Sequence, residues 1–281
     1  SMLAPYVAGL AIKALDVPVG MRYLYGFLSL AYILSALINI RFLNETSTRE
    51  GNNLQLGEIW HILKDAYCCI PALLRGLPRP LKALAGVIVL SFVSNAITGP
   101  FWIVYAVEHI GLATTEWGLI LFIETALRNA VGIPAGMLVD HWGRTRFMVL
   151  SLALALFSVP IFILAGGFTS VLVIRMIVAL SNAFFLPATA ALLADTVPRD
   201  MRGRVMAALG RGTVMVGATG GGTGGPGMGF LVTLPVFVAS LGAGYLYALS
   251  PMMPWVLTAI IFALCLLLSL CCIHDPQQAE I

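Results

Sequence analysis

The sequence predicts an all-α polytopic membrane protein: a bundle with seven complete transmembrane helices and one partial one. Three observations carry this. Of 281 residues, 59% are hydrophobic and only 10% are charged, whereas a water-soluble domain of this size carries about 25% charged residues. Charge-free apolar runs of about 20 residues, the length that crosses a hydrocarbon core as a helix, recur along the chain. The basic residues between these runs fall almost entirely into alternate loops, the charge asymmetry of membrane topology.

The complete spans are 23–40, 83–107, 117–138, 147–168, 170–194, 228–249 and 252–272. Ahead of them an apolar run from Met2 to Ile12 stops at Lys13. As a helix it reaches about 16 Å, roughly half of the hydrocarbon core. It has neither the basic start nor the small-residue cleavage site of a signal peptide, so the expectation is a chain that begins inside a span. One set of loops holds Arg41, Arg49, Lys64, Arg75, Arg79, Lys82, Arg144, Arg146, Arg199, Arg202, Arg204 and Arg211; the opposite set holds only Lys13 and Arg22. The first set is expected in the cytoplasm, which places the linker 41–82 and the C-terminal tail there.

The linker opens with a polar stretch, 44–53. Leu56, Ile59, Trp60, Leu63, Ala66, Tyr67 and Ile70 then recur at helical spacing, opposite Glu58, His61 and Asp65. This is an amphipathic helix for the membrane surface or for packing on protein, ended by Gly76, Pro78 and Pro80. The stretch 217–229, GATGGGTGGPGMG, has no lysine and therefore no phosphate-binding loop; a flexible cytoplasmic loop is expected. Cys68, Cys69, Cys265, Cys271 and Cys272 lack metal-ligand spacing. They read as small hydrophobes, with S-palmitoylation open for the last two. No cofactor motif is present, and a net charge of +3 without a basic–aromatic cluster argues against a nucleic-acid partner.

Two loop motifs carry a family resemblance. After the span 117–138 the chain reads Gly136-Met-Leu138-Val-Asp140-His-Trp-Gly143-Arg144. Two glycines permit a tight turn, Asp140 suits a basic partner or a helix N-terminus, and Arg144 suits a carboxylate. After the span 170–194 come Asp195, Pro198, Arg202 and Gly203. Both patterns resemble loop signatures of the major facilitator superfamily, although His141 and Thr145 stand where that family usually has basic residues. The resemblance implies a secondary active transporter that moves a small solute through the lipid bilayer by alternating access, coupled to protons or another ion. It implies that the first motif latches the cytoplasmic side. Its register makes 83–281 a C-terminal six-helix bundle, 44–82 the linker between bundles, and 1–43 a remnant of the N-terminal bundle. The remaining N-terminal helices, or a second copy of the chain, are then implied partners. A weak similarity between 9–24 and 244–257 fits duplicated halves.

Ionisable residues inside spans are functional candidates. Glu124 and Arg128 lie one turn apart and are expected to pair, either to neutralise each other or to line a solute and proton pathway with Asn129, Asn95 and Asn182, asparagines that otherwise serve as interhelical hydrogen-bond formers. Arg175 is close enough to a span end to snorkel to the outer surface. Two rival functions stay open. Glu124-Thr-Ala-Leu-Arg128 is similar to the glutamate–arginine motif of intramembrane prenyl-protein proteases, but His61, His109, His141 and His274 all lie outside the spans, so the ligands for such an enzyme are missing. A seven-span receptor fits the span count but not the two loop motifs.

Overall fold

The computed structural model describes residues 17–42, 78–197, 202–210, 214–218 and 228–274. Every described element with regular secondary structure is helical, and seven helical segments are long and apolar enough to cross a membrane. The partial run 2–12, the amphipathic helix expected over 56–70, and Pro198 lie outside the described residues.

The first helix, α1 (Val17–Phe42), buries none of its apolar window against the other described residues. Its outward residues, Tyr23, Phe27, Leu34 and Leu37 among them, are of the kind that lipid solvates. The next span is split. Helix α2 (Arg79–Thr98) starts on a proline in its first turn, where a missing N–H is harmless. Gly99 and Pro100 then interrupt it before α3 (Phe101–Glu108). Helix α4 (Thr114–Trp142) is capped by Glu116, whose Oε2 accepts the Ala113 N–H at 2.8 Å. It ends at Gly143, with φ +104° and ψ +131°, and α5 (Arg144–Ile161) begins at once. Pro160 lies at the end of α5, and one 3-10 turn, Phe162–Leu164, follows. The expected single span 147–168 is therefore a shorter helix with a tightened end.

Helix α6 (Phe168–Thr196) keeps Pro187 in its interior. A short helix α7 (Arg202–Leu209) follows. Helices α8 (Phe230–Leu249) and α9 (Met253–Cys272) complete the chain. Helix α6 packs along α4 and α5, while α9 packs along α2 and α5, and α8 lies on α2. An aromatic cluster sits in the core. Trp102 stands 4.5 Å from both Phe162 and Trp255, centroid to centroid, and all three are fully buried. This cluster gathers α3, the end of α5 and the start of α9. The arginines at the starts of α2, α5 and α7 mark the other, basic end.

Only glycine tolerates the Gly143 backbone comfortably, because a Cβ at that φ and ψ is strained. Gly143→Ala is expected to lower unfolding stability in mixed micelles by about 1–3 kcal/mol; an unchanged unfolding midpoint would show that the α4–α5 corner does not need this conformation.

Candidate functional site

Helix α4 is 29 residues long, and Arg128 is its midpoint, about 21 Å from either end. Glu124 sits one turn earlier. They do not pair with each other. Arg175, in the second turn of α6, donates from Nε and Nη2 to Glu124 Oε2 at 2.9 and 2.6 Å. Its third contact is Nη1 to the Gly217 carbonyl at 2.9 Å. The guanidinium carbon also stands 4.4 Å from the Trp102 ring centroid, a cation–π contact strengthened by dryness. Glu124 is 5% exposed and Arg175 0%. Two expectations are thus corrected: the partner of Glu124 is Arg175, not Arg128, and Arg175 turns inward rather than snorkelling outward. The aromatic cluster closes the way out, and the carboxylate gives the inward position its counter-charge.

The acceptor at Gly217 comes from a third departure. The stretch 217–229 was expected to be a flexible cytoplasmic loop, yet Gly217 and Ala218 belong to a non-helical segment, 214–218, held inside the bundle. Asn182 on α6 brackets it with two hydrogen bonds. Its Oδ1 accepts the Val216 N–H at 2.6 Å and its Nδ2 donates to the Val216 carbonyl at 2.7 Å. Asn95 on α2 likewise accepts the Ala218 N–H at 3.1 Å and donates to the Met215 carbonyl. Non-helical backbone at bilayer depth has to be buried in protein and hydrogen-bonded, and these two amides do that. Gly217 has φ +63°, and a Cβ there would stand 3.2 Å from Val159 and Val178 side chains. The flanking residues 219–227 lie outside the described ones.

Two adjoining cavities meet at Arg128. One, about 250 Å³, is lined by Leu121, Glu124, Thr125, Arg128, Met215 and Ala218. The other, about 240 Å³, is lined by Arg128, Asn129, Ile133, Leu186 and Pro187, with Asn182 on the border of both. Arg128 is half-buried; its Nη1 points at Met215 Sδ, 3.2 Å away, and no carboxylate among the described residues pairs with it. Of the five residues expected on the pathway, Glu124, Arg128, Asn129 and Asn182 therefore face these cavities, while Asn95 acts behind the segment 214–218.

At the basic end the two loop motifs touch. Arg144 forms an ion pair with Asp195, lies 3.7 Å from Asp140, and reaches the Ala191 carbonyl at 3.5 Å. Arg202 Nη2 donates to the Ala194 carbonyl at 3.1 Å. Gly136 and Gly203 have open space where a Cβ would stand. These contacts tie the ends of α4 and α6 to the starts of α5 and α7.

The Major Facilitator Superfamily family model matches residues 84–280. No curated protein matches the chain significantly.

Glu124 and Arg175 are expected to behave as one unit. Glu124→Gln or Arg175→Gln alone leaves a buried unpaired charge and should cost about 3–5 kcal/mol. The double variant should recover much of that loss, whereas Glu124→Gln and Arg128→Gln should combine nearly additively. Thermal unfolding in detergent of all five variants reads this out. A stronger coupling of Glu124 to Arg128 than to Arg175 would refute the assignment.

Proposed function

The chain belongs to the major facilitator superfamily, a family of transporters, and on that premise we propose that it moves a small solute across the plasma membrane by alternating access, coupled to protons or another ion. The observation that carries this reading is the site at mid-helix: two cavities meeting at Arg128, beside a buried ion pair and a non-helical backbone segment. Transport sites sit near the bilayer midplane beside non-helical backbone; the place of Arg128 at the midpoint of α4 and the non-helical segment 214–218 next to it support that reading. The helices from α2 to α9 form one bundle, residues 83–281, of the two that alternating access needs. The linker 44–82 joins it to the bundle that includes 1–43, and further N-terminal helices or a second copy complete the pair. The arginine-rich end faces the cytoplasm, since basic residues stay on that side.

Arg144, Asp140 and Asp195 form the latch at that end. Asp195 is the less exposed of the two carboxylates and pairs more closely with Arg144, so it matters more than Asp140. Removing a contact made in one state shifts the population away from it.

Ile133 provides the test, because it lines a cavity, and its side chain is open to approach. In protein with the five native cysteines replaced, Ile133→Cys should react with a membrane-impermeant thiol reagent from either face, the favoured face changing with an imposed ion gradient. Asp195→Asn should raise labelling from the cytoplasmic face more than Asp140→Asn does. Labelling from one face only, under every gradient, would refute alternating access and favour a receptor-like protein.

A further inference from the structure

We propose that the paired cavities at Arg128 bind a solute carrying one negative charge on an apolar body, with Arg128 as the anchor for that charge. The proposal rests on the transport reading only for the role of the site; the binding chemistry follows from the charges and donors themselves.

Among the described residues, three charge-bearing side chains stand at this depth: Glu124, Arg175 and Arg128. Glu124 and Arg175 cancel, since both guanidinium donors of the pair fall on one carboxylate oxygen. That leaves the positive charge of Arg128. A guanidinium presents five N–H donors, and the contact it makes here is to a thioether sulfur, a weak acceptor. A half-buried cation without an oxygen acceptor among the described residues leaves its charge and most of its donors unmatched, and one monoanion removes both deficits. A dianion would leave a net negative charge in its place. A cationic solute would meet Arg128 first, and of the two Glu124 oxygens Oε2 already takes both donors of Arg175.

The neighbours of Arg128 divide the solute in two. Thr125 and Asn129 bring a hydroxyl and an amide to the cavity walls, suitable for the second oxygen of a carboxylate. Asn182 borders both cavities, but its amide is engaged with Val178 and Val216, so it shapes the wall and does not bind. Beyond Arg128 the wall turns apolar with Ile133, Leu186 and Pro187. Gly132 there has no atom within 4 Å of where its Cβ would stand, which leaves room for a hydrocarbon portion.

The test uses the purified chain in lipid nanodiscs with three probes of nearly equal shape: benzoate, neutral benzamide and cationic benzamidinium. Calorimetric titration should show benzoate binding at least about tenfold more tightly than either of the others, the margin of one charge-assisted hydrogen-bonded contact. Arg128→Gln should abolish that preference and Arg128→Lys should retain part of it. Ile133→Gln should weaken benzoate while keeping its advantage over benzamide. Equal affinity for benzoate and benzamide, no binding of any probe, or benzoate binding that survives Arg128→Gln overturns the proposal. If Arg128→Gln does not fold, the probe series on the unaltered protein and on Arg128→Lys decides. Anion selectivity with one-sided labelling at Ile133→Cys would refute transport alone; two-sided labelling without anion selectivity would refute this inference alone.

Discussion

A single constraint organises the interior: Arg175 is buried at bilayer depth and must be neutralised where it stands. Removing a guanidinium and a carboxylate from water costs several kcal/mol for each ion, and their attraction offsets this only when the remaining donors find acceptors. The structure meets those conditions one by one. Nε and Nη2 take the Glu124 oxygen, Nη1 takes the Gly217 carbonyl, and the Trp102 face covers the carbon. Trp102 in turn is locked by Phe162 and Trp255. The aromatic end of the bundle is thus packed around a charge as much as around itself.

The demand for a backbone acceptor explains why residues 214–218 are not helical. Inside a helix, the Gly217 carbonyl would accept from its own strand of the chain four residues on and would be less available to Arg175. Unwinding frees it but exposes its neighbours, and in an apolar interior each such group needs a partner. Asn95 and Asn182 supply them from two different helices. Gly217 supplies the positive φ and the absence of a Cβ against Val159 and Val178. Carboxylate, arginine, glycine and two asparagines are therefore one assembly, and a change in any member is transmitted to the wall of the cavity beside Arg128.

Much of the fold was legible from hydropathy, because bilayer thickness dictates how long an apolar run must be. The seven spans agree with the helices to within a few residues, save where Gly99 and Pro100 split one and a 3-10 turn tightens another. The loop motifs were legible for a different reason: their residues are close in sequence and their spacing encodes a turn. The pairing inside the site was not. One carboxylate had two arginines to choose from, and sequence distance favours the neighbour one turn away over the one 51 positions on. The rotation of α6 against α4 decides between them, and no local pattern records that rotation. The glycine-rich stretch misled for a related reason, since composition alone does not show that two distant amides will hold part of it inside the bundle.

The two ends of the bundle differ in the kind of interaction that closes them. At the aromatic end, large rings are fully buried, and truncating one would cost about 3–5 kcal/mol in lost contacts and cavity. At the other end, Arg144, Asp140, Asp195 and Arg202 meet near the surface, where ion pairs contribute about 0–1 kcal/mol each. Weak, directional contacts part and re-form at little cost, whereas an aromatic core holds one arrangement. The contacts at the basic end are therefore the weaker ones, and the Glu124–Arg175 assembly belongs with the tightly held part of the interior. Arg128 lies between the two, half a helix from either end of α4, beside the Glu124–Arg175 assembly and on the same helix as Asp140.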